Sequence, residues 1–169
     1  MRKLIILKSL IDFVWIVTCI PALLILSFLA VYMFIEPESL DMILDADKSI
    51  IKTFSVSAQL FGLVFIALGF ITIYCVYLFR KTLRYFQRVK PFHMDVIANF
   101  YKIGYLLTGV GIASSVLFFL AQLVFTSQLK INLGLSSYIM LICLGLFFMV
   151  LSEVFKVAKK AKEENNLTI

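Results

Sequence analysis

The sequence predicts an all-α protein: a four-helix transmembrane bundle with its N-terminus and C-terminus cytoplasmic. Three observations carry that prediction. The 169 residues are 62% hydrophobic and only 15% charged, with a mean hydropathy of +1.02, whereas a soluble domain is about half apolar and about a quarter charged. Four apolar runs approach the roughly 20 residues that a helix needs to cross a hydrocarbon core of about 30 Å. Lys and Arg gather on one side of those runs. Arg2, Lys3, Lys8, six residues between 80 and 102, and Lys156, Lys159, Lys160 and Lys162 stand on that side, and only Lys48, Lys52 and Lys130 on the other. Such a bias places the basic side in the cytoplasm, and the length fits one integral membrane domain over residues 1–169.

The first span covers residues 13–35. Arg2, Lys3 and Lys8 before an apolar stretch resemble a secretory leader, but a leader's apolar region runs about 7 to 15 residues. This one continues without a charge and ends in bulky Tyr32, Met33 and Phe34, so it is read as a retained span. Pro21 lies inside it and removes a backbone hydrogen bond, which predicts a bend. Trp15 and Tyr32 near its ends suit the aromatic belts of a bilayer.

Residues 36–55 are the acidic part of the chain. Leu40, Ile43 and Leu44 at helical spacing, with Asp41 and Asp45 on another side, predict a short amphipathic surface helix. Asp45 and Asp47 lack the glycine and distal glutamate of a calcium loop, so they read as a solvated outer loop.

The second span, 56–79, carries Ala58, Gly62 and Gly69 on one side, a surface for close helix packing. Its helix is expected to continue beyond the apolar run. Phe79, Leu83 and Phe86 keep the apolar spacing, and Arg80, Arg84 and Arg88 form a basic row at i, i+4, i+8. Pro91 disfavours helix at Lys90 and ends it. Val96, Phe100, Ile103 and Leu107 then resume the spacing, with Asp95 complementing the positive end of the second arm. Residues 80–102 therefore form a basic cytoplasmic hairpin.

The third span, 103–125, gathers Gly104, Thr108, Gly109, Gly111, Ser114 and Ser115, as expected of the central helix of a bundle. The fourth is short if counted from Tyr138 and is expected to begin near Ile131, giving 131–152. A cytoplasmic helical tail, 153–169, follows, with Lys159 facing Glu163 and Lys160 facing Glu164 at i, i+4.

Chemistry is sparse. Cys19, Cys75 and Cys143 lie within apolar runs and read as small buried hydrophobes. A lone histidine, His93, cannot build a histidine cluster within one chain. None of the four spans holds an ionisable group of the kind that carries ions or protons, and no nucleophile has a base beside it in sequence. The expectation is a non-catalytic protein without cofactor or metal. Its docking residues for lipid or a partner are Arg80, Arg84, Arg88, Lys90, Phe92, Leu167, Thr168 and Ile169, and its packing glycines are Gly62, Gly69, Gly104, Gly109 and Gly111. Tyr85, Phe86 and Phe92 among the cations are explained by the nearby membrane, and no direct nucleic acid binding is expected. Membrane lipids and further copies of the chain are the expected companions. The competing reading is a small-molecule or lipid-binding bundle with export or immunity function, using a cavity beside Pro21 and the glycines of the third span.

Two segments carry a resemblance. Pro91, Phe92, Asn99, Ile103 and Gly104, followed by Phe155, Glu164, Leu167, Thr168 and Ile169, are similar to the pattern of the bacterial family named domain of unknown function 2975. Members often have a glycine after the tail phenylalanine and an Asp before Leu-Thr, where this chain has Lys156 to Lys159 and Asn166. The resemblance implies a four-span protein of unassigned activity, often encoded beside a very small helix-turn-helix regulator. It thus implies a cytosolic DNA-binding regulator as partner.

Overall fold

The computed structural model describes residues 2–35, 55–87, 92–125 and 136–167. The acidic segment with its expected surface helix, the hairpin tip with Arg88, Lys90 and Pro91, and Thr168 and Ile169 lie outside the described residues. Among the described residues there is helix and no strand. The first helix joins α1 (Arg2–Val14), a π segment (Trp15–Cys19) and α2 (Ile20–Ile35). Three long helices follow: α3 (Ser55–Gln87), α4 (Met94–Phe125) and α5 (Ser137–Leu167). Each of the four is long and apolar enough to cross a membrane, over Lys8–Tyr32, Gln59–Phe86, Met94–Val124 and Ser137–Asn165.

The π segment sits where Pro21 demands it. A proline has no N–H to give to the carbonyl four residues back, and its ring crowds that carbonyl. Ahead of it the chain widens by one residue, so that the Ile20 N–H reaches Trp15 O, an i to i−5 bond. Thr18 Oγ1 donates to Val14 O in the same turn.

The core lies among α3, α4 and α5. On α4, Val96, Phe100, Ile103, Leu107 and Val110 are buried, and on α3, Cys75, Leu78, Thr82 and Leu83. The α4–α5 seam is closest because its side chains are small. A Cβ on Gly104 would lie 2.6 Å from Gly145 O and 2.8 Å from Met149 N, and one on Gly111 would lie 2.6 Å from Ile142 Cγ1 and 3.0 Å from Tyr138 O. Gly145 meets Thr108 and the Gly104 carbonyl in the same way. Backbones this close leave no volume for a methyl group. Ser152 Oγ crosses the seam to donate to Ile97 O at 2.8 Å.

Other glycines behave differently. Gly69 abuts Leu26, its Cβ position 3.0 Å from a Leu26 methyl, and Gly62 is buried, whereas Gly109 has nothing within 4 Å. Gly109 is five residues beyond Gly104, more than a full turn, so it points away from the seam that Gly104 and Gly111 share. Cys19 and Cys75 are buried, but Cys143 is exposed, because the packed side of α5 is taken by Ile142 and Gly145. Among the described residues the fourth helix runs from Ser137 to Leu167, after Ser136, whose carbonyl accepts the Ile139 and Met140 N–H groups; the expected start near Ile131 lies outside the described residues.

Among the described residues the first helix packs chiefly along α3. Leu26, Leu29 and Ala30 pack on Ile66, and Cys19 is buried at mid-length.

Candidate functional site

The sequence singles out the basic hairpin and the tail, and the structure brings these together through phenylalanine rings. Phe155 on α5 lies 5.6 Å from Phe86 of α3, 5.6 Å from Phe100 of α4 and 6.1 Å from Phe92, centroid to centroid. Phe148, two turns earlier on α5, meets Phe79 at 5.6 Å and Phe100 at 5.9 Å. Edge-to-face and offset pairs of this kind add about 0.5–1.5 kcal/mol each beyond area burial. The tail helix is therefore clamped to both arms of the hairpin at one level. Lys162 Nζ sits 5.6 Å from the Phe92 centroid and extends the clamp by a cation–π contact.

Past the clamp the tail is an exposed charged helix. Lys159 lies 3.5 Å from Glu163, Lys160 3.9 Å from Glu164 and Lys156 3.4 Å from Glu153, the first two being the pairs the spacing foretells. At the start of α4, Tyr85 stacks on His93 at 5.4 Å and donates its hydroxyl to Asp95 Oδ2 at 2.8 Å. The Asp95 N–H meets His93 Nδ1 at 3.2 Å. These contacts fix the turn that carries Phe92.

The basic row divides. Arg84 is exposed, but Arg80 Nε lies 2.5 Å from Asp12 Oδ1 of α1, with both side chains about three-quarters covered at 25% and 28% exposure. The Arg80 guanidinium also stands over the Trp15 ring at 5.9 Å. Arg80 thus holds the first helix. A first span begun at residue 13 stops one residue short of Asp12, the only acid in the first 35 residues, and so leaves this pair unread. An acid beside an apolar run calls for a cation on a neighbouring helix, and that signal identifies it.

Gly145 and Ser152 also escape a reading of α5 based on apolar length. Asn99 belongs to the resemblance pattern, and its Nδ2 is enclosed without a hydrogen-bond partner among the described residues. An unsatisfied buried donor costs about 1–3 kcal/mol.

A shallow groove of about 640 Å³ runs on the outside of the α4–α5 seam, lined by Tyr101, Met149, Val150, Glu153, Val154, Val157 and Ala158. It offers an apolar trough with one carboxylate.

No curated protein and no solved structure matches the chain. A family described as "Protein of unknown function (DUF2975)" matches residues 38–169. That stretch contains α3, α4 and α5, with the hairpin, the phenylalanine clamp and the tail, and excludes the first helix. With Phe92, Asn99, Gly104 and Phe155 all inside the matched region, the chain belongs to the DUF2975 family.

Proposed function

We propose that this multi-pass protein resides in a bacterial cytoplasmic (inner) membrane and acts without catalysis. Its hairpin and tail form one docking platform for a small helix-turn-helix regulator. The observation that supports it is the Phe155 clamp, which joins the tail to both hairpin arms as a single body. The thirteen-to-three distribution of Lys and Arg supports a cytosolic position for that body. Arg84 and the lysine–glutamate pairs of the tail supply its polar surface, and Leu167, Thr168 and Ile169 are the further contacts that the sequence suggests. Export or immunity by a ligand-binding bundle is the weaker reading. Gly104 and Gly111 abut α5 and leave no room for a ligand, and Pro21 is exposed on the first helix.

Mass spectrometry of species cross-linked to the chain in its native membrane tests the proposal, with the full chain compared with one ending at Lys162. The expected outcome is a small DNA-binding protein recovered with the full chain and lost on truncation. Recovery of only the chain itself and lipids overturns it.

A further inference from the structure

Among the described residues, one side of α3 is left uncovered between the first helix and α4. Phe70, Tyr74, Tyr77, Lys81 and Arg84 follow one another at steps of four, three, four and three residues, which keeps them on a single stripe. All five are exposed, the rings at 37%, 42% and 43%. Neighbouring helices form the walls. On one side Trp15 of the first helix meets Tyr77 at 5.8 Å, and on the other Lys102 of α4 holds its Nζ 5.7 Å from the Tyr74 centroid. Tyr74 and Tyr77 stack at 6.3 Å and form the floor.

The charges there have one sign. Asp12, on the first-helix wall, is taken by Arg80, and Asp95 accepts the Tyr85 hydroxyl and lies 3.3 Å from His93 Nδ1. Among the described residues Lys81, Arg84 and Lys102 have no carboxylate within ion-pair distance. The cleft thus combines an aromatic floor with the cations Lys81, Arg84 and Lys102, a pairing of rings and charges that suits the edge of a bilayer.

We propose that this cleft is a site for one anionic phospholipid. Lys81 and Lys102 hold the headgroup phosphate, Arg84 faces it from the water side, and the acyl chains descend over Tyr74 and Phe70. Basic clefts between spanning helices suit phosphate headgroups for this reason. A zwitterionic lipid brings its own cation to the same cleft and gains less. The inference shares Arg84 with the regulator reading but rests on Lys81 and Lys102, which that reading does not use.

The full chain is placed in nanodiscs of phosphatidylcholine with phosphatidylglycerol as the minor component, and the lipid retained after detergent extraction is counted by native mass spectrometry. At about fivefold per cation, the double variant K81Q/K102Q should retain about 25-fold less phosphatidylglycerol, with phosphatidylcholine unchanged. The charge-matched K159Q/K160Q variant, altered on the tail, should retain as much as the unaltered chain. Equal losses in the two variants, or no loss in the first, overturn the site. Should the double variant fail to fold, Lys81→Gln alone, at an exposed position, should lower retention about fivefold, and a change below about twofold overturns it equally.

Discussion

Two parts of this molecule bury their apolar surface in different ways. In α4, 33% of the apolar window is buried inside the protein, against 6% in the first helix. The α3–α4–α5 unit is held by shape: glycine backbones in contact, phenylalanine rings interleaved, one hydroxyl crossing the seam. The first helix is held at a few points, with Asp12 and Trp15 on Arg80 and Tyr77 at one end and Leu26, Leu29 and Ala30 on Ile66 further along. Lipid tails are as apolar as leucine, so apolar surface alone gives two spans no reason to associate, and close packing or a polar pair must supply it. The tight unit has the first and the peripheral helix depends on the second. The family match, over residues 38–169, takes in the tight unit and leaves out the first helix.

Substitution at the seam should break this contrast most. Gly145→Val forces α4 and α5 apart and should destabilise the unit by on the order of 3 kcal/mol, seen as a fall in the thermal midpoint by circular dichroism in detergent. Gly109→Val, with open space around it, should leave that midpoint unmoved, and an equal fall in both would mean that helix propensity rather than packing decides.

Next in size is Asp12→Asn. Loss of a charge-assisted bond costs about 1.5–3 kcal/mol, and here it should fall on the first helix alone. The single tryptophan, Trp15, reports that event directly. Its fluorescence should shift at a lower temperature than the loss of helix, dividing one transition into two. A single coincident transition would show that the first helix is integral to the unit.

The smallest expected effect is Ser152→Ala, which removes the bond to Ile97 O. Interhelical hydrogen bonds in membranes average about 0.6 kcal/mol, so the thermal midpoint should drop slightly with no change in Trp15 fluorescence.

Four spans, the continuation of α3 beyond its apolar run and the tail ion pairs were all legible in the sequence. Each depends on residues close together in the chain: hydropathy over one helix length, i, i+4 spacing, a proline and the turn before it. Part of the candidate site was legible too, because cations and aromatics at fixed spacing mark the hairpin and the tail. Their division was not. Arg80 and Arg84 are equivalent members of one row in sequence, and only the position of the first helix makes the former a partner of Asp12 and leaves the latter open. Likewise Gly104, Gly109 and Gly111 are alike as glycines, and the placement of α5 alone decides which two sit against a backbone. The sequence by itself determined that there are four apolar spans, where a proline interrupts the first helix and which ends are charged, since those follow from local backbone chemistry and transfer from water to lipid. Tertiary structure decided which residue meets which across 41 or 68 positions of chain, as Gly145 meets Gly104 and Arg80 meets Asp12. In a bilayer such pairings are chosen by fit and charge between helices, which no local pattern records.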